Sequence, residues 1–246
     1  MNENDKTDAI QDNIATEASP KGINEVAPKK KRKKLPVILG VVAVVLVAAG
    51  AGFFVWHEQP SFCNAICHTP MDPYNETYEQ AIDTQGVDKW GNEVNDTRAM
   101  MSVLHREEDV TCLECHVPTI EEQLSEGMAW ISGNYTVPLD EYTMKDLTSH
   151  RNAPADEFCL NDSCHHVSSV DGSDIKTRDD LTAIFADQTF NPHSEQHGQN
   201  QCSDCHKAHR ASVNYCSECH SDAEMADGWL TVAKAKKLDN NYSKTY

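Results

Sequence analysis

Ten cysteines decide what this chain can become. They fall into five pairs, and a histidine directly follows the second cysteine of every pair. The sets are Cys63, Cys67 and His68; Cys112, Cys115 and His116; Cys159, Cys164 and His165; Cys202, Cys205 and His206; Cys216, Cys219 and His220. Three pairs have two residues between the thiols, the first has three and the third has four. C-x-x-C-H is the attachment motif for c-type haem. The order of residues follows the chemistry. Each thiol adds to a vinyl group on one porphyrin edge, and the adjoining imidazole then reaches the iron from one side. A loop can absorb one or two extra residues between the thiols. Paired cysteines also hold structural zinc, but zinc needs no histidine after every second cysteine. Ten cysteines outside the cell could form five disulfides, which leaves the histidines equally unexplained. The pattern therefore predicts five covalently attached haems, with His68, His116, His165, His206 and His220 as proximal iron ligands.

The rest of the chain agrees with that prediction. Of 246 residues only 7% are aromatic, too few for a large apolar core, and macrocycles would supply the missing apolar mass. Residues 57–246 carry thirteen Lys and Arg against thirty-three Asp and Glu, a net of −20. So acidic a surface argues against nucleic-acid binding and favours cationic or dipolar partners.

Before the first cysteine pair, "PVILGVVAVVLVAAGAGFFVW" (36–56) runs for twenty-one residues without a charge. As a helix it spans about 31 Å, the thickness of a hydrocarbon layer. "KKKRKK" (29–34) immediately precedes it. Positive charge stays in the cytoplasm, so the cysteine-rich part is expected on the outer side of the cytoplasmic membrane. Covalent haem attachment takes place on that side. A cleaved signal peptide is the alternative for the apolar run.

Four segments follow: a disordered cytoplasmic tail (1–34), a transmembrane helix (35–56), a two-haem part (57–135) and a three-haem part (136–246). The expected fold is mainly α with extensive loop, packed around haem. Asp72-Pro73 reads as an N-cap opening a helix to about Ile82. "PTIEEQLSEGMAWISG" puts Ile120, Leu124, Met128 and Ile131 on one helical face and stops at Gly133. Short helices are expected in "DDLTAIFADQ" and from Asp222 to Leu238. Residues 86–98 and 168–178 read as polar connectors, and no strand pattern stands out.

Five irons need up to five further ligands. The histidines His105, His150, His166, His193, His197 and His209 are candidates, with His193, His197 and His209 foremost because they flank the Cys202 pair in "NPHSEQHGQNQCSDCHKAH". Met71, three residues after His68, is the candidate at the first haem, where a thioether would raise the potential. The alternative there is an open position. His57 sits at the membrane edge.

Two segments resemble known families. "CNAICHTPMDPY" and "LHREEDVTCLECHVP" resemble the NapC/NirT/NrfH family of membrane-anchored multihaem quinol dehydrogenases over roughly residues 30–135. This chain departs from that pattern in its three-residue first spacer, in the later placing of Met71 and in having five haem motifs. The resemblance implies that menaquinol reduces the first haem, held by Cys63, Cys67 and His68. "NPHSEQHGQNQCSDCHKAHRASVNYCSECH" is similar to the tetrahaem domain of flavocytochrome c fumarate reductases, which implies iron ligation by His193, His197 and His209. The four-spacer motif ending in "CHH" resembles class III tetrahaem cytochromes, which implies His166 as the ligand of a neighbouring haem.

The expected function is electron conduction from menaquinol to an extracytoplasmic reductase. Asp72, Glu76 and His57 are candidate acceptors of the quinol protons. A flavoprotein is the favoured partner, and a cytochrome nitrite reductase is the other candidate. Two alternatives stand beside this: a terminal multihaem reductase of the nitrite type, and an electron relay or store with no quinol site.

Overall fold

The structure is a computed structural model and describes residues 34–138, 155–168, 170–198 and 200–242. His150 and the tail of residues 1–33 lie outside the described residues. The chain divides into two compact units, Met1–Leu46 and Val47–Tyr246.

Helix α1 (Leu35–His57) buries none of its residues and is the one described helix long and apolar enough to cross a membrane. Its last turn belongs to the second unit. There Phe53 and Trp56 meet Phe62 edge to face, with ring centroids 5.6 and 5.0 Å apart. Phe62 lies on α2 (Pro60–Ile66), which Pro60 opens where no N–H is needed.

Helix α3 (His68–Tyr78) starts four residues before Asp72 and ends before Ile82, so Asp72 is an internal residue and no cap. Pro70 explains the earlier start. It stands in the first turn, where its missing donor has no partner to lose. Pro73 lies inside the helix.

The stretch expected to be a connector instead builds the core. Strands β1 (Gly86–Val87) and β2 (Glu93–Val94) pair antiparallel. A 3₁₀ turn (Thr97–Ala99), capped by Asp96, leads into α4 (Met101–Glu107). Val94, Ala99, Met100 and Val103 pack with Ala211, and Ile82, Trp229 and Leu230 lie against them. Gly228 makes this closure possible. A Cβ there would stand 2.5 Å from the Asp96 carbonyl, and its φ of +74° suits glycine.

Helix α5 (Cys112–Cys115) is a single turn, and α6 (Ile120–Ser132) follows. Thr119 and Glu122 form a capping box at the start of α6, and Gly133 ends it in the left-handed region at φ 70°. Ile120, Leu124, Met128 and Ile131 do share one face, and each is at least 64% exposed.

The remaining elements are α7 (Ala155–Cys159), α8 (Arg178–Ile184), α9 (Cys202–Cys205), β3 (Val213–Asn214), a 3₁₀ turn (Tyr215–Glu218), β4 (Leu230–Thr231) and α10 (Val232–Tyr242). Residues 222–231 are not helical, because Leu230 and Thr231 form a parallel ladder with Val213 and Asn214. Val213, Val232 and Ala235 make a second small core.

Residues 57–135 and 155–242 grip each other through backbone. Met101 N–H donates to Lys207, Ser102 N–H to Ala208, Lys89 N–H to His209 and Ser212 N–H to Ala99, at 2.8 to 3.1 Å.

Candidate haem-binding sites

Three of the cysteine motifs are built on a single helical turn, and the four-spacer motif keeps the closing hydrogen bond of that turn. In the Cys112, Cys202 and Cys216 motifs the histidine N–H donates to the carbonyl of the first cysteine, at 2.8, 2.9 and 2.8 Å. Cysteines three apart on such a turn lie on one face. Side chains hold each turn in place: Thr111 with Glu114, Gln201 with Asp204, and Asn214 accepting from Cys216 N–H. In the four-spacer motif the His165 N–H still finds the Cys159 carbonyl, at 3.1 Å. The two extra residues bulge into a turn closed by Cys164 N–H to Asn161. The first motif is different. There the Cys63 carbonyl accepts from Cys67 N–H at 2.9 Å, so the thiols sit one full α-turn apart and His68 opens the next helix. All ten cysteines are free thiols in this structure.

The fold brings histidines together in twos. His105 on α4 and His165 have ring centroids 5.8 Å apart with planes at 89°. His116 and His209 are 6.5 Å apart at 28°. His197 and His220 are 6.2 Å apart at 35°. Burial, with His193, His165 and His105 adding to it, pushes the His206 imidazole down to about 4. Desolvation holds the His116 imidazole low, although the residue as a whole is exposed. Among the described residues no three or more His, Cys, Asp or Glu side chains converge as a metal-ion site.

Two of these rings are oriented from behind. His105 Nδ1 lies 2.7 Å from the Met101 carbonyl, which can only accept, so Nδ1 carries the proton. His209 Nδ1 lies 2.7 Å from the hydroxyl of Thr77, which is fully buried. That hydroxyl already donates to the Tyr74 carbonyl at 2.8 Å, so it can only accept from His209. In both rings Nε2 is left with its lone pair, as a metal ligand requires.

The thiols of successive motifs bear on one another electrostatically. Burial and the charges of Cys63, Cys115 and Glu79 push the Cys112 thiol up to about 11. Cys159 donates to Cys202, which raises Cys159 and lowers Cys202, and Cys115 bears on Cys159 as well. Burial raises Cys205, with Asp204 and Cys216 adding to it. Electrostatic influence therefore links the first motif to the second, the second to the third and the fourth to the fifth, and a hydrogen bond links the third to the fourth. Asp156 and Arg178 sit at the third junction in a two-point ion pair at 3.0 and 2.6 Å, and the Cys202 thiol lies 3.4 Å from Asp156.

The other expected residues are placed as follows. Met71 is partly buried on α3, while Asp72 and Glu76 are exposed. His57 ends α1, with its ring 4.8 Å from Phe62 and Nδ1 3.3 Å from Glu58. His166 is exposed, with Nδ1 3.2 Å from the Cys164 carbonyl, and it belongs to none of the three histidine pairs. Thr77, Asp156 and Arg178 were not legible as site residues, because nothing in their local sequence marks them.

Turn-mounted thiol pairs, each followed by histidine, with further histidines facing them, define a multihaem c-type cytochrome. The comparisons agree. The cytochrome c3 family model matches residues 141–221, the span of the last three motifs. The cytochrome c-type protein Cgr1 of Eggerthella lenta is 59% identical over 211 residues, covering 86% of this chain and 94% of that protein. The chain belongs to the family of that c-type cytochrome. No solved structure matches it. Covalently bound c-type haem follows from membership, and electron transfer is the chemistry that such haem supplies.

Proposed function

We propose that this cytochrome is a membrane-anchored, five-haem conduit that takes electrons from menaquinol and delivers them to a reductase outside the cytoplasm. The carrying observation is that the thiols of successive motifs bear on one another, Cys63 on Cys112, Cys115 on Cys159, Cys159 on Cys202 and Cys216 on Cys205. It gives the five motifs one order with two ends. The first end adjoins the apolar helix, since Phe62, next to Cys63, packs on Trp56 and Phe53 of α1. That is where a lipid-dissolved reductant arrives. Trp56 and Cys63 are separated by at most about 25 Å of extended chain, and the folded connection is shorter.

The motif histidines would hold the irons, with lone histidines as further ligands at the later motifs. Met71 serves the first iron. Asp72, Glu76 and His57 are the groups near the first motif that can receive the quinol protons. The basic run before α1 places the N-terminus in the cytoplasm and the haems outside. Electrons leave from the Cys216 motif, in a protein part carrying a large negative charge. The partner is a reductase with a basic docking face, and the resemblance of the C-terminal part favours a flavoprotein.

The test uses the full-length holoprotein in lipid vesicles. A menaquinol analogue should reduce the haems rapidly, as read at the α-band. Replacing Cys63 and Cys67 by alanine should remove one haem and abolish reduction by quinol but not by dithionite. Equal quinol reduction in both proteins would end the proposal.

A further inference from the structure

We infer that His209 is the second axial ligand of the iron at the Cys112 motif, His105 of that at the Cys159 motif and His197 of that at the Cys216 motif. This rests on the haem-binding reading of the motifs, and it adds which lone histidine serves which iron.

The argument is geometric. Two metal–imidazole bonds of about 2 Å, pointing in opposite directions, place ring centres roughly 6 Å apart. The three measured pairs lie at 5.8, 6.5 and 6.2 Å. Each joins a motif histidine to a lone one. Tertiary structure holds these separations. The segment bearing His209 is fixed by Lys89 N–H on its carbonyl, by Thr77 on its Nδ1 and by the edge of Tyr74 at 5.1 Å. His105 is fixed on α4 by the Met101 carbonyl. The Phe190 ring lies 4.4 Å from His220, the motif histidine that pairs with His197.

The consequence is a crossed ligand set. His105 and His116 come from the N-terminal part, and their partners His165 and His209 come from the C-terminal part. The second and third irons therefore staple residues 57–135 to residues 155–242. Neither part supplies both ligands to all of its own irons.

The test counts low-spin haems in the purified full-length holoprotein by low-temperature electron paramagnetic resonance. Total covalent haem is counted in parallel by intact mass, so failure of the haem reading itself would show separately in the wild type. His209→Ala should convert one haem from low to high spin with the attached haem count unchanged, and added imidazole should restore it. His116→Ala should also cost one low-spin haem, by loss of ligation or of attachment. The double variant should cost one in total, because both residues serve one iron. His209→Ala with His165→Ala should cost two. A loss of two in the first double variant, or one in the second, would overturn the assignment. Should the alanine variant misfold, His209→Met keeps six-coordination and is read by a sulfur-to-iron charge-transfer band. Appearance of that band supports the assignment, and its absence in a folded protein contradicts it.

Discussion

The hydroxyl of Thr77 accepts a hydrogen bond from His209 Nδ1 at 2.7 Å while donating its own proton to the Tyr74 carbonyl at 2.8 Å. One buried hydroxyl thereby fixes the tautomer of an imidazole that comes from the far end of the chain. Such bonds behind a ligand raise its basicity. Thr77→Val keeps the shape and removes the acceptor. One haem should then show a raised midpoint potential in a redox titration, with the others unmoved, and stability should fall by about 1 to 3 kcal/mol for the orphaned N–H. Thr77→Ser should restore both. Unchanged potentials in Thr77→Val would contradict the role of His209.

The His105–His165 planes are near perpendicular at 89°, while His116–His209 and His197–His220 are closer to parallel at 28° and 35°. Perpendicular axial imidazoles give low-spin ferric haem a strongly axial spectrum, and parallel ones a rhombic spectrum. The oxidised protein should show both kinds of signal. His105→Ala should delete a strongly axial one. Deletion of a rhombic signal instead would count against pairing His105 with His165.

Arg178 holds the carboxyl of Asp156 below the ordinary carboxylate range, mainly by hydrogen bonding. A depressed folded-state value means stability that is fully present above about pH 4, the unfolded value, and lost as pH falls through the folded one. Asp156→Asn should therefore cost stability near neutral pH, at the lower end of about 1.5 to 3 kcal/mol for a hydrogen bond to a charged group that stays partly exposed. The difference in melting temperature from wild type should shrink toward acid. A difference that stays constant from pH 7 to pH 3 would show that the ion pair is not its source.

Met71 follows His68 by three residues on α3. Replacing a thioether by an imidazole lowers haem potential. Met71→His should lower one midpoint and slow reduction by quinol, roughly tenfold in equilibrium for each 59 mV. An unchanged set of midpoints would remove Met71 from the first iron.

The local chemistry was legible in the sequence, and the long-range pairing was not. The motifs, the stripe on α6 and its Gly133 stop depend on residues within a few positions of one another. The two-residue ladders at Gly86–Val87 and Leu230–Thr231 are too short to show alternation, so residues 86–98 read as connector although Val94 and Ala99 lie in the core. Asp72 looked like a cap because Asp-Pro commonly opens a helix. Pro70 allowed an earlier start. The union of His105 with His165, and of Thr77 with His209, depends on the backbone clasp between Met101–Ser102 and Lys207–Ala208, which no local pattern announces.

The most direct measurement of the central claim removes the middle of the chain of sites. Replacing Cys159 and Cys164 by alanine should leave four attached haems, all reducible by dithionite. In a single conduit running in chain order, a menaquinol analogue should then rapidly reduce only two of the four, those at the Cys63 and Cys112 motifs. Reduction of all four at the wild-type rate would contradict a conduit in that order.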